Sequence, residues 1–310
     1  MNIVFLMDPL ETIHPTKDTS LLFIKEAQRR GFKTYYLNKT GLTIKNNKVH
    51  CHVTEINVTN DPHNLFKIIK QTQLTENDID MIFIRTDPPF DDIYLYHTWV
   101  LDLLPKQIKI INSPTGIRTM NEKVWVTQFK DIVPHTSITS QQSDIINFLK
   151  EHQKIVLKPL NGYGGEEIYI LEEESQNKNV IIESITRHFT KPIIIQKYIP
   201  AASTGDKRIL LCNGNPIGAL LRVHNKTDHR NNFFAGGTAE ATTITSNDQK
   251  IIDTIKPYLK KLGLTFVGID IIGDKLIEIN VTSPTCMQEM NELYNTTLEK
   301  DVFDQLLVTN

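Results

Sequence analysis

Residues 265–285 read TFVGIDIIGDKLIEINVTSPT, and this stretch decides the fold. Two apolar runs, 266–272 and 276–281, flank the turn dipeptide Gly273-Asp274. Alternation of apolar and polar residues around such a dipeptide predicts a β-hairpin.

Three oxygen-bearing side chains lie inside this hairpin, namely Asp270, Glu278 and Asn280. A strict two-residue loop would pair Asp270 with Ile277 and place the two carboxylates on opposite faces. A longer loop or a bulge pairs Asp270 with Glu278 instead, and we predict that register. Two carboxylates and an amide oxygen on one face suit Mg²⁺. The spacing leaves open a hairpin whose polar face simply meets solvent.

Composition excludes several classes of protein. The 310 residues include 34 basic and 36 acidic side chains, without the basic excess of a nucleic-acid binder. Cys51, Cys212 and Cys286 lack the CxxC spacing of zinc or redox sites and fit a reducing compartment. The N-terminus carries neither a signal pattern nor a membrane-length apolar run, so we expect a cytoplasmic protein with no membrane contact.

The first part of the chain predicts an open parallel α/β layer. Glycine and proline positions and apolar periodicity predict strands at 2–7, 32–37, 79–84 and 108–111, with helices at 19–30, 62–71, 93–104 and 114–130. A hairpin at 42–53, around Asn46-Asn47, is expected to decorate this layer. Arg85 follows the third of these strands and precedes Pro88-Pro89. It is expected either to meet an anionic substrate group at the strand end or to be a solvated surface residue.

A smaller α+β unit follows. Helices are expected at 141–150 and 179–189, and strands at 154–159 and 193–198. Lys158 ends the first of these strands, and Gly162, Gly164 and Gly165 follow it closely. Glycine-rich backbone beside a lysine indicates a phosphate site, although a glycine-hinged turn remains the alternative. There is no GxxxxGK[ST] motif, so this is not a Walker loop.

The last part predicts antiparallel strands at 206–211 and 217–223, a helix at 247–262, and closing helices at 286–293 and 298–307. Antiparallel pairing of the two strands would bring Arg208 and Arg222 to one rim of the sheet. There they either offset the charge of a phosphoryl group or are solvated arginines. The polar segment 224–237 follows these two strands and precedes the hairpin at 265–285. It has the length of a functional lid and contains Arg230.

These motifs together resemble the ATP-grasp ligases, and specifically bacterial-type glutathione synthetases over nearly the whole chain. The resemblance is carried by seven segments: MDP at Met7, EAQRRG at Glu26, DPPF at Asp87, NEK at Asn121, LKPLNGYGG at Leu157, DKR at Asp206 and FVGIDIIGDKLIEINVTSPT at Phe266, together with AGG at Ala235.

The resemblance implies an N-terminal α/β domain, 1–122, followed by an ATP-grasp fold whose two α+β subdomains, 123–200 and 201–310, enclose the nucleotide. The implied reaction joins γ-glutamylcysteine to glycine while ATP, the co-substrate, becomes ADP and phosphate. It also implies a homo-oligomer, a tetramer; the charge balance, as above, predicts no nucleic-acid partner.

The resemblance also assigns roles to individual residues. The ATP phosphates would be held by Lys123, Lys158, Gly162, Gly164 and Gly165. Mg²⁺, with Mn²⁺ as an alternative, would be bound by Asp270, Glu278 and Asn280. Arg208 and Arg222 would stabilise the phosphoryl group, and Arg85 and Ser283 would contact the dipeptide. Arg230, in the loop 223–238, would help to shield the intermediate from water.

This chain departs from the family pattern at Thr86, Asn161 and Thr238, where charged residues are usual. These departures bear on substrate affinity and specificity more than on the reaction class. Two other functions remain open from the sequence: a ligase with the same nucleotide site and a different acceptor, and a non-catalytic ATP-binding module.

Overall fold

The computed structural model describes residues 1–59, 61, 64–162, 164–223 and 237–308. These residues form three sheets with helices packed against them. The described strands are β1 Asn2–Met7, β2 Lys33–Lys45, β3 Lys48–Val58, β4 Phe66–Thr75, β5 Met81–Arg85, β6 Lys109–Ile111, β7 Thr136–Thr139, β8 Lys154–Pro159, β9 Tyr169–Glu172, β10 Ile193–Lys197, β11 Asp206–Cys212, β12 Asn215–Val223, β13 Thr238–Ala241, β14 Phe266–Ile272 and β15 Lys275–Asn280.

The described helices are α1 Thr19–Arg29, α2 Asp92–Leu101, α3 Pro114–Thr119, α4 Gln142–His152, α5 Lys178–Ile185, α6 Ser246–Lys261, α7 Met287–Tyr294 and α8 Leu298–Leu307. Short 3-10 helices cover Leu10–Thr12, Trp125–Gln128 and Pro200–Thr204. Within the described part of the chain, no helix combines the length and the apolar character that a membrane span requires.

The first sheet has the strand order β4-β3-β2-β1-β5-β6 and is mixed. Strands β2, β1, β5 and β6 run parallel, as the α/β pattern predicts, and Asp18 caps α1 between the first two. The hairpin around Asn46-Asn47 is present, but it is part of the sheet rather than a decoration, since its arms are the long strands β2 and β3. The other half of the sheet is therefore antiparallel.

Two predicted helices were wrong. Residues 66–75 form the edge strand β4, because Phe66, Ile68 and the two threonines pair with residues of β3. An isolated segment lacks that partner. The helix expected at 114–130 stops at Thr119. Here the side-chain oxygen of Asn121 accepts hydrogen bonds from the N–H groups of Lys123 and Val124, and this local turn competes with a continuing helix.

The other two sheets are antiparallel. The order β7-β10-β8-β9 forms the central sheet, and β13-β12-β11-β14-β15 forms the C-terminal sheet. Helices α4 and α5 cover the central sheet and give it a core of its own. The first and third sheets share their cores, and Phe23 packs at 5.2 Å from Phe83 in the first sheet and 5.1 Å from Phe266 in the third, ring centroid to ring centroid.

This arrangement brings the loops of all three sheets to one cleft. The boundaries expected at 122/123 and 200/201 fall between sheets, since β6 ends at 111, β7 begins at 136, β10 ends at 197 and β11 begins at 206. As limits of independent domains they stay predictions.

Candidate active site

A cleft of about 270 Å³ lies between the central and C-terminal sheets. All but two of the predicted site residues line it: Lys123, Lys158, Gly162, Gly164, Gly165, Arg208, Arg222, Asp270, Glu278, Asn280 and Ser283. Of the remaining two, Arg85 lies elsewhere, and Arg230 is outside the described residues, as is most of the lid expected at 224–237.

The hairpin β14–β15 has the predicted register. Asp270 pairs with Glu278, and a bulge follows, so that Ile271 pairs with Leu276 and Ile277 is the extra residue. The turn itself stays tight at Gly273-Asp274. The shift in register therefore comes from a bulge within the strand and not from a longer loop.

The bulge places the three predicted metal ligands together. The amide nitrogen of Asn280 lies 3.4 Å from Oδ2 of Asp270, and Asn280 is two residues along the strand from Glu278. Their oxygens are the hard ligands that Mg²⁺ takes, so the donor set fits this cation. An amide turned end for end would present Oδ1 of Asn280 to the same space.

Asp270 is also the centre of a buried ion-pair network. Both of its oxygens accept from the guanidinium of Arg208, and Nη2 of Arg222 lies 2.8 Å from Oδ2. Arg222 also donates to both oxygens of Asp206. Burial opposes the charged carboxylate, but Arg208 and Arg222 outweigh it and hold the pKa of Asp270 below its usual value. The two arginines do share one rim, but they are buried there, so the solvated alternative is excluded.

Glu278 has the opposite environment. Burial raises the pKa of its carboxyl, with Lys123 opposing and the charge of Asp270 adding to the rise. Its carboxylate lies 3.6 Å from Nζ of Lys123. A cation bound near Glu278 and Asp270, in addition to Lys123, would therefore reduce the repulsion between these two carboxylates.

The glycine loop faces this hairpin from the central sheet. Gly162, Gly164 and Gly165 have φ angles of +156°, +65° and +76°, which side chains other than glycine's rarely allow. Lys123 donates a hydrogen bond to the carbonyl oxygen of Gly162, so the lysine joins the loop to Glu278 across the cleft.

Lys158 lies at the end of β8, where the sequence placed it. Its Nζ donates to Oε1 of Gln196 at 2.8 Å, and among the described residues no carboxylate lies within ion-pair distance. Burial lowers the pKa of Lys158 to about 8, with the charge of Glu278 opposing this. An anion entering the cleft would meet an ammonium group that lacks a compensating charge.

Arg85 does not line the cleft, and the solvated alternative for it was wrong, because its side chain is only 4% exposed. Its guanidinium is buried, packs over the rings of Phe23 and Phe266, and donates to Ser20 Oγ and to the carbonyl oxygen of Pro284. The strand end does reach the cleft, but through Asp87 and Pro88. The buried strand ends one residue later than the sequence suggested, since β5 includes Arg85.

Glu122 and Gln196 are among the cleft residues that the sequence reasoning missed. Glu122 accepts from the N–H groups of Val281 and Thr282 and from the Thr282 hydroxyl, and so fixes the end of β15. Gln196 orients Lys158. In the sequence, the charged pair in NEK could have identified Glu122, and the glutamine within the buried strand IIIQK could have identified Gln196.

Comparisons with known proteins agree with this geometry. Residues 1–118 match the prokaryotic glutathione synthetase N-terminal domain, and residues 122–295 match the prokaryotic glutathione synthetase ATP-grasp domain. A glutathione synthetase of Vibrio parahaemolyticus is 37% identical over 303 residues, 97% of this chain and 96% of its own. The Escherichia coli K12 glutathione synthetase is 38% identical over the same shares.

Solved structures extend the likeness to the fold. The D-cycloserine synthetase DcsG superposes with a TM-score of 0.67 over 98% of this chain and 99% of its own, at 12% identity. At that identity the likeness concerns the fold alone, and it supports the predicted α/β domain followed by an ATP-grasp fold. Together with the two domain matches and the full-length relatives, it shows that this chain belongs to the prokaryotic glutathione synthetase family of ATP-dependent ligases.

Proposed function

We propose that this protein joins γ-glutamylcysteine to glycine at the expense of ATP, with Mg²⁺ or alternatively Mn²⁺ in the cleft. One observation carries the proposal. The cleft sets a glycine loop and two lysines against a hairpin bearing Asp270, Glu278 and Asn280. The full-length likeness to glutathione synthetases supplies the identity of the substrates.

The reaction transfers the terminal phosphoryl group of ATP to the cysteinyl carboxylate of the dipeptide, which releases ADP and forms an acyl phosphate. The glycine amine then attacks the acyl carbon, the C–N bond forms, and inorganic phosphate leaves with the bonding electrons. The amine gives up its proton in the same stage. No nucleophilic side chain is required.

The phosphates lie, in this proposal, between the two halves of the cleft. Lys123 and Lys158 contribute cations, and the backbone of Gly162, Gly164 and Gly165 folds over the phosphates. Lys158 suits this role because it lacks a carboxylate partner among the described residues, so its charge is available to a ligand.

The metal belongs to the hairpin. Asp270, Glu278 and Asn280 would hold it, and the cation would neutralise phosphate charge there. A carboxylate has about four lone-pair sites, so Asp270 can accept from Arg208 and Arg222 and still contact a metal ion.

Arg208 and Arg222, which both contact Asp270, are proposed to stabilise the phosphoryl group and the acyl phosphate. Ser283 lines the cleft and is proposed to contact the dipeptide. Arg85 is reassigned as a positioning residue, because it touches the backbone of Pro284 and not the cleft. Arg230 and the loop 223–238 are proposed to exclude water during the second stage.

The test is phosphate release from purified protein with ATP, Mg²⁺, γ-glutamylcysteine and glycine, omitting one component at a time. Release that requires both amino-acid substrates, with glutathione appearing in equal amount, supports the proposal. Release with another acceptor would make the protein a different ligase. No release under any of these conditions would favour an ATP-binding module.

A cytoplasmic location and a homotetramer are also proposed. Helix α2 exposes the apolar side chains of Tyr96 and Trp99, with Ile93 before and Leu103 after them, which suits a surface covered by another subunit. Light scattering would give the mass of the assembly, and a single-chain mass at micromolar concentration would contradict the tetramer.

A further inference from the structure

Three side chains that commonly bind metals converge outside the cleft, on the central sheet. His135 directly precedes β7, and Glu151 and His152 end α4. Their ligand atoms all lie within 4.8 Å of one another. Nδ1 of His135 is 3.1 Å from Nε2 of His152, and a carboxylate oxygen of Glu151 is 3.6 Å from the same Nε2.

These distances are close to those of a metal centre. Two imidazole nitrogens bound to one tetrahedral Zn²⁺ at about 2.0–2.1 Å would lie about 3.3 Å apart. The separation of the two ring nitrogens therefore matches that of two ligands on one ion. A hydrogen bond between the rings would also bring them this close, so binding must be measured directly.

The surroundings hold the ring of His152 in place and favour a cation. The side chain of His152 is only 8% exposed and packs against Phe148, with ring centroids 4.4 Å apart. The pair also lies at the C-terminal end of α4, where the helix dipole favours positive charge.

We propose that His135, Glu151 and His152 bind a borderline transition-metal ion, Zn²⁺ in the first place, at a site separate from the ligase cleft. Imidazole nitrogen and carboxylate oxygen suit such an ion, whereas Mg²⁺ prefers oxygen ligands alone. Water would complete the coordination.

Such an ion would join the start of β7 to the end of α4. The carbonyl oxygen of His135 accepts from the N–H of Lys197, and Lys197 lines the cleft at the end of β10. The bound ion would thus hold β7 beside β10, the strand whose end lines the cleft.

Titration calorimetry of the full chain with Zn²⁺, in millimolar Mg²⁺ to occupy the oxygen site of the cleft, tests this proposal. His135→Gln and His152→Gln should each weaken one zinc-binding event by about 100-fold or more, since even outer partners of metal ligands are worth about 10–100-fold. Glu151→Gln should weaken it less. His188→Gln, an exposed histidine of the same unit, should bind as the native chain does.

Two further readouts distinguish a ligand role from a structural one. Zn²⁺ should raise the melting temperature of the native chain and of His188→Gln but not of His135→Gln. Co²⁺ bound at the site should show the absorption of a tetrahedral ion. Equal zinc affinity in the native chain, His135→Gln and His152→Gln would overturn the proposal. If either histidine variant fails to fold, the exposed Glu151→Gln decides, and unchanged affinity there would exclude the carboxylate.

Discussion

Replacing Asp270 by Asn should cost this protein both stability and activity, whereas replacing Glu278 by Gln should cost activity alone. Asp270 is buried and shares its two oxygens between Arg208 and Arg222. Glu278 faces the cleft and contacts Lys123 at 3.6 Å, without a guanidinium partner among the described residues.

The magnitude follows from the charges of the network. Asp206, Asp270, Arg208 and Arg222 sum to zero, and Asp270→Asn leaves one positive charge uncompensated in the interior. Removing one partner of a buried ion pair costs about 3–5 kcal/mol. Asp206 still pairs with Arg222, so the loss concerns mainly Arg208.

Urea unfolding, followed by tryptophan fluorescence and by circular dichroism, measures the change in the free energy of unfolding. Asp274→Asn is the matched control, because Asp274 lies in the turn of the same hairpin with its side chain 69% exposed, and it should leave stability unchanged. Glu278→Gln should unfold near the native midpoint while turnover is abolished. The reasoning fails if Asp270→Asn unfolds together with Asp274→Asn, or if Glu278→Gln turns over at the native rate.

Three other outcomes are expected. Burial lowers the pKa of Lys158 to about 8, so the side chain loses its proton above that pH in the free enzyme. A bound phosphate keeps the ammonium group protonated. The dissociation constant of Mg-ATP should therefore rise about tenfold between about pH 7 and pH 9. Lys158→Arg should flatten this rise, because arginine stays charged. The same rise with pH in Lys158→Arg as in the native chain would contradict this prediction. Gly116→Ala should destabilise the protein by about 1–3 kcal/mol relative to Thr119→Ala in urea unfolding, because a Cβ at Gly116 would lie 2.2 Å from the carbonyl oxygen of Leu262; equal stabilities would refute this. Cutting the chain between His224 and Ala235 should raise ATP hydrolysis relative to ligation by exposing the acyl phosphate to water, and tightly coupled turnover would rule out shielding.

The hairpin could be predicted from the sequence because its signal is local. Alternating residues fix which face each side chain takes, so only the register remained open, and two carboxylates on one face required the shifted one. The strand-end position of Lys158 and the glycine loop are equally local. The family motifs extended these predictions to Lys123 and Ser283, which no spacing argument reached.

What failed depends on contacts distant in sequence. Strand β4 is a strand because β3 lies beside it, and a single window of sequence does not contain that partner. Arg85 looked like a surface residue because it follows an apolar run, yet the rings of Phe23 and Phe266 come from distant parts of the chain to cover it. The burial of Arg208 and Arg222 likewise requires β14 to pair with β11.

In the proposed mechanism, Asp270 has two functions that its position makes inseparable. It neutralises buried arginines that would otherwise destabilise the C-terminal sheet, and it offers the remaining lone pairs to the cleft. An inactive Asp270 variant therefore cannot by itself identify a metal ligand, because displaced arginines would abolish turnover as well. Glu278 has no guanidinium partner among the described residues, and burial raises its pKa, with Lys123 opposing and the charge of Asp270 adding to the rise. If Glu278 holds a cation in this cleft, Glu278→Gln should weaken the dependence of ATP binding on metal concentration, in a protein whose stability is native.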